Sequence, residues 1–144
     1  MNTNNIQVLP NGQGIAIRSE KTLVRNVGSI VLINPSTGAP YIQPTNVTST
    51  FYSKALLVKN APGTLYSVTG FNSGSAQFIQ LHDLATVPVA NAVPVVFIYV
   101  AANSNFSYYV TRSFTKGIAI VSSSTGPIYT IPNNSDCWFD CQVV

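Results

Sequence analysis

For acid–base, metal or nucleophilic chemistry the sequence offers four carboxylates, one imidazole and two thiols within 144 residues. His82 directly precedes Asp83. Those are the residue types of a His-Asp dyad, but neighbours on a strand point to opposite faces, so the two cannot share a proton if a strand runs through them. A polar strand end facing solvent is expected instead. Glu20, Asp83, Asp136 and Asp140 make up the carboxylates. Asp136 and Asp140, four apart on a predicted strand, stand about 13 Å from each other. That is too far for paired acid and base work, and they are expected to solvate an otherwise apolar edge. No Walker-type loop, GxGxxG, GxSxG or HExxH is present. With no nucleophile, base and orienting group in a recognisable pattern, no catalytic residue is expected and the chain reads as a non-enzyme.

Cys137 and Cys141 alternate with Phe139 and Val143 on one side of the last apolar run, against Trp138, Asp140 and Gln142 on the other. That pattern places both cysteines inside. On a strand they lie about 13 Å apart, beyond the about 7 Å between Cα atoms that a disulfide spans. A CxxxC pair could hold half a metal site, yet His82 alone cannot complete a tetrahedral set. Buried reduced thiols follow, with no metal and no cofactor expected.

Only 8% of the residues are charged, against roughly a quarter in an ordinary soluble monomer. Solubility then rests on Asn, Gln, Ser and Thr, and on surface that is covered by partners. The net charge is +3, but nucleic-acid binding needs clustered Lys and Arg. Arg18, Lys21 and Arg25 lie close together with Glu20 among them, while Lys54 with Lys59 and Arg112 with Lys116 flank predicted strands, where charges protect sheet edges. Solvated or interface charge is the reading, and no nucleic-acid partner is expected. No segment reaches the about 18 uninterrupted apolar residues of a spanning helix, so no membrane partner is expected either. Residues 1–7 lack the basic start and apolar stretch of a secretory signal, which points to a product released into a cytoplasm.

Helical periodicity is absent, and nine prolines with nine glycines punctuate the length. Short apolar runs bounded by turn residues predict strands at 54–59, 64–71, 76–82, 93–100, 106–110, 117–121, 128–131 and 136–143. The run at 93–100, apolar on both faces, reads as a central, doubly covered strand. This spacing predicts an all-β chain built as an antiparallel β-sandwich, jelly-roll-like or immunoglobulin-like. Before residue 51 the pattern changes. Strands are predicted at 14–18, 22–25 and 29–34, with Pro10-Asn-Gly12 able to turn a hairpin. Residues 1–50 read as an N-terminal extended arm or hairpin layer and 51–144 as the sandwich domain; alternatively the early strands extend the same sandwich.

The chain has seven Tyr, seven Phe and one Trp. Core packing is the default for most of them. Tyr108 and Tyr109 must face opposite sides of one strand, so at least one meets solvent or a neighbouring subunit, a place tyrosine suits because it buries area at low entropic cost. Together with Arg18, Lys21 and Arg25 they are the candidate interface residues.

The stretch from Lys54 to Asp83 (KALLVKNAPGTLYSVTGFNSGSAQFIQLHD) resembles one found in small tailed-bacteriophage proteins. Later features fall in a similar order: Ser104-Asn-Phe106, Phe114-Thr-Lys-Gly-Ile118, Ser123-Ser-Thr125 and Asp136-Cys-Trp-Phe139. The resemblance covers about residues 54–142, and Cys141 departs from it. It implies a virion structural protein of the β-sandwich capsid decoration, or cement, type. The expected partners are the major capsid protein and further copies of the chain, as a homotrimer. The expected place is the capsid surface, after synthesis in the host bacterial cytoplasm. The alternatives are a tail, neck or fibre component, or a host-surface carbohydrate-binding module using Tyr108, Trp138 or loop asparagines.

Overall fold

The computed structural model describes the backbone of residues 5–8, 14–18, 21–26, 29–33, 35–38 and 42–144, and the side chains of 35–38 and of 42–144 apart from Val110. Every regular element among the described residues is a strand, and the chain divides into two compact units, Met1–Gln43 and Pro44–Val144.

The first unit is an antiparallel meander of β1 (Asn5–Val8), β2 (Gly14–Arg18), β3 (Lys21–Asn26) and β4 (Ser29–Ile33), paired in chain order. Strand β1 adds to the three predicted there, while the Pro10-Asn-Gly12 turn lies outside the described residues. The second unit holds β5 (Thr45–Thr48), β6 (Ala55–Lys59), β7 (Gly63–Asn72), β8 (Gln77–Asp83), β9 (Val96–Val100), β10 (Ser104–Phe114), β11 (Ile118–Ser123) and β12 (Cys137–Val143). The units part near residue 43 rather than 50, because Thr45–Thr48 pairs with β12 and belongs to the sandwich.

Two four-stranded antiparallel sheets, ordered β10-β7-β12-β5 and β6-β11-β8-β9, pack face to face. The strand pairs nest along the sequence, β8 with β9 inside β7 with β10, inside β6 with β11, inside β5 with β12. One long hairpin rolled into two layers has this connectivity, so the sandwich is a jelly roll and not the immunoglobulin-like alternative.

Leu65, Val68, Phe106, Cys137, Phe139 and Cys141 from one sheet meet Ile79, Leu81, Val100, Ile118 and Ile120 from the other. Each large apolar side chain fully buried in this layer contributes about 1.5–3 kcal/mol. The alternation predicted for the last run is the one observed, with Cys137, Phe139, Cys141 and Val143 buried and the residues between them partly or fully exposed. Lys59 on β6 and Arg112 on β10 stand on edge strands, as expected of edge-protecting charges. Asn103, in the left-handed conformation at φ 47°, turns the chain from β9 into β10.

Two of the predicted strands differ from the structure. The apolar run at 93–100 is not central: β9 is an edge strand whose inner side meets the core while Phe97 and Tyr99 stand exposed on the other. Residues 128–131 form no strand, because their backbone groups are taken elsewhere. Tyr129 exchanges hydrogen bonds with the loop at Asn91 and Ala92, the Thr130 N–H donates to Ser123 Oγ, and the Ile128 carbonyl accepts from Gln80 and Thr125 side chains.

Candidate functional site

His82 is 1% exposed, so it is not the solvent-facing strand end expected from its polarity. It sits on the outer face of β8, under a strap formed by residues 124–131, and its ring meets Tyr129 edge-on at 5.9 Å. Gln80, two residues earlier on the same face, fixes the arrangement. Its amide Nε2 donates to the carbonyls of Thr125, Gly126 and Ile128 at 2.8, 2.7 and 3.2 Å. The Gln80 Oε1 is thereby turned toward His82 Nε2 at 3.2 Å and accepts its N–H. Nδ1 is left with a buried lone pair and no hydrogen-bond partner. Burial lowers the imidazole pKa from 6.5, and the ring is a neutral packing element.

Asp83 points away from this pocket. Its carboxylate accepts the N–H groups of Thr115, Lys116 and Gly117 at 2.9, 2.8 and 3.3 Å and the Thr115 hydroxyl at 2.7 Å. The Lys116 N–H and then the Thr115 hydroxyl do most to hold its pKa down, to about 2 from 3.8. A carboxylate held this way clamps the turn from β10 to β11 in its ionised form. A depressed folded-state pKa contributes stability that is present above the unfolded pKa and is lost as pH falls through the folded one. The clamp therefore acts fully above about pH 4 and fails toward pH 2. A carboxyl NMR titration should give Asp83 a midpoint near 2, and Asp83→Asn should flatten the acid limb of the unfolding curve. A midpoint at the ordinary value would remove the clamp.

Both thiols are free and buried in the sandwich, and burial pushes each up to about 12. The neutral thiol, not the nucleophilic thiolate, is the form the fold keeps. Gln77 Nε2 donates to Cys137 Sγ at 3.1 Å and to Asn72 Oδ1 at 2.7 Å, tying the thiol into a buried polar network.

Asp140 belongs to β12, which lies between β7 and β5 and is not an edge. Its Oδ1 accepts from Asn46 Nδ2 at 2.8 Å and from the Thr48 hydroxyl, both on the neighbouring β5. Asp136 stands apart at the start of β12, packed on Gly74, where a Cβ would meet its Oδ2 at 2.1 Å. With Ser75, Ser124, Asn133, Asn134 and Ile131 it lines an open cleft of about 370 Å³. Amide, hydroxyl and carboxylate groups around one apolar wall can hydrogen-bond a neutral polyhydroxylated molecule. Among the described residues, no three His, Cys, Asp or Glu gather as a metal site.

The interface candidates divide by unit. Arg18 stands opposite Lys21 in the β2–β3 ladder and Arg25 opposite Ile30 in the β3–β4 ladder. Tyr108 is partly buried against the sandwich core, whereas Tyr109 is 76% exposed. Among the described aromatics only Phe106, Phe114, Phe139 and Tyr129 are buried, so core packing is not the fate of most. Gln80 and the exposed face of β9 were not singled out by residue type. The signal for the second was legible: residues 84–111 contain no Asp, Glu, Lys, Arg or His.

No protein-family model matches this chain, and neither a curated protein nor a solved structure matches it.

Proposed function

We propose that the chain is a non-enzymatic structural protein of a tailed-phage virion, a decoration or cement protein that stabilises the head by binding the major capsid protein. One observation carries this: the ionisable side chains that could do chemistry hold turns and core together, while large apolar side chains stand exposed on the sandwich. His82, Asp83, Cys137, Cys141 and Asp140 are occupied as described, and Val89, Tyr109, Val93 and Phe51 are each about 70% exposed or more. Exposed apolar surface of this kind marks sites that a partner covers. Jelly rolls recur in viral capsid and lectin domains, which adds a fold-level analogy and no more. The first unit, with Arg18, Lys21 and Arg25, supplies the shell contact, and the sandwich supplies contacts between copies.

Cosedimentation with undecorated capsids tests it. The full chain should pellet with the shells, and residues 44–144 should keep their β circular dichroism but stay in the supernatant. Absence of binding by the full chain, or full binding by the truncated one, would sink the proposal. Truncating at 50 instead would remove β5 and confuse lost binding with lost fold.

A host-surface carbohydrate binder, as a tail or fibre component, is the second reading, favoured by the cleft at Asp136, Asn133 and Asn134. A glycan array separates the two.

A further inference from the structure

The sandwich presents four strand edges, and they are not alike. Edge β6 carries Lys59, edge β10 carries Arg112, and edge β5 is the polar Thr45-Asn-Val-Thr48. Edge β9 reads Val-Phe-Ile-Tyr-Val and lies inside the uncharged stretch 84–111. Natural sheets guard open edges with charge, proline or bulges. Strand β9 has none of these between Val96 and Val100.

Its outer face is apolar as well as open: Phe97 and Tyr99 are 52% and 64% exposed, and Val93 in the loop before the strand is 74% exposed. Phe78, the β8 partner of Tyr99, meets the Phe97 and Tyr99 rings edge-on at 6.1 and 5.7 Å. The two exposed rings are thus held in place before anything docks on them, which lowers the entropic cost of doing so.

We propose that β9 pairs antiparallel with β9 of a second copy, joining two β6-β11-β8-β9 sheets into one eight-stranded sheet across a two-fold axis. Self-pairing centred on Ile98 sets Phe97 opposite the partner's Tyr99 and Tyr99 opposite the partner's Phe97, on the face that holds Phe78. Cross-strand aromatic pairs of this kind favour the register. Charge leaves β9 as the edge where a second copy meets least repulsion. A chain of net charge +3 repels itself wherever its basic groups meet, and of the four edges those of β6 and β10 carry Lys59 and Arg112 whereas β9 carries no basic residue and β5 lacks its exposed aromatic rings. Lys59 on the opposite edge of the same sheet stops the addition at two copies instead of a fibre.

Val93, Val95, Phe97 and Tyr99 offer on the order of 500 Å² per copy, below the about 800 Å² each partner gives to a standard interface. The ladder hydrogen bonds add to this, and the pair is reversible, with a dissociation constant on the order of micromolar. Two-fold pairing takes the place of the trimer expected from the resemblance. It rests on the decoration proposal only for its use in a virion.

Light scattering coupled to size exclusion, on the full chain at about 100 μM, two decades above that constant, reads the outcome. The expected mass is twice that of the 15.4 kDa chain. Tyr99→Lys and Phe97→Lys, each placing a charge on the exposed face, should weaken pairing at least about a hundredfold, so that at this concentration about half or more of the chain is monomeric and the mean mass falls well below that of the dimer. Gln142→Lys, exposed on β12 of the other sheet, should remain a dimer. Circular dichroism identifies which variants fold, and either folded β9 variant suffices. A monomeric wild type, a mass three times the chain, a dimeric Tyr99→Lys or Phe97→Lys, or a monomeric Gln142→Lys would overturn the pairing. A dimer that ignores capsids would leave it standing and remove the decoration reading; a monomer that coats capsids would do the reverse.

Discussion

Gly70→Ala should cost the sandwich about 3 kcal/mol, the upper end of what an overpacked core loses to one methyl group. Gly70 lies on β7, opposite Phe139 of β12 on one side and Phe106 of β10 on the other. The two rings meet edge-on at 6.2 Å in the core. A Cβ on Gly70 would come within 2.0 Å of the Trp138 carbonyl oxygen and 2.4 Å of the Phe106 ring. The ring could turn, but the carbonyl belongs to the backbone of a central strand and cannot retreat without breaking the ladder. Urea unfolding of the full chain measures the loss. Adding Phe106→Leu to Gly70→Ala should recover only the part that comes from the ring. A loss below about 1 kcal/mol would mean that β7 and β12 separate more easily than their pairing implies.

Gln80→Leu should be nearly as damaging, by about 2–4 kcal/mol, since a buried carbonyl that loses its donor costs about 1–3 kcal/mol. The Ile128 carbonyl keeps the Thr125 hydroxyl at 2.6 Å, but no other hydrogen bond reaches the Thr125 and Gly126 carbonyls among the described residues. The strap at 124–131 should loosen over β8, and amide exchange at Tyr129 and Thr130 should quicken more than in the β7–β12 ladder. His82 also loses the acceptor for its Nε2 proton. As the loosened strap lets water reach the ring, the burial that lowers its pKa is relieved and the imidazole should titrate closer to its ordinary value. Uniform exchange over the whole sandwich would show instead that the strap and the sheets unfold together.

The strands were legible wherever apolar runs ended in turn residues, and β6, β7, β8, β11 and β12 follow the predicted ranges closely. The last run was the clearest, because its alternation is strict and one of its faces is the core. Three kinds of feature escaped. Strand β5 is a short polar segment that becomes a strand only through β12, more than ninety residues away, and no local pattern announces such a partner. Residues 128–131 have strand composition, but side chains of β8 and β11 claim their carbonyls and N–H groups, a tertiary effect overriding propensity. The 93–100 run was apolar on both faces, and period alone does not distinguish a strand covered twice from an edge awaiting a neighbour. For the candidate site, residue type led to His82 and Asp83 but not to their roles, which depend on Gln80 and on the Thr115–Gly117 turn.

The nesting of strand pairs also sets an order of assembly in time. The innermost pair, β8 with β9, closes the shortest loop, and each later pair closes a longer one, so entropy favours zipping from the middle outward. The outermost closure joins Thr45 to Val143 across 98 residues. Until residues 137–143 have been synthesised, β7 lacks its β12 neighbour and β5 has no partner at all. The growing chain must therefore carry an open β7 edge from the time β10 pairs with it until β12 is complete, and its yield in a cell should depend on how quickly that final strand arrives.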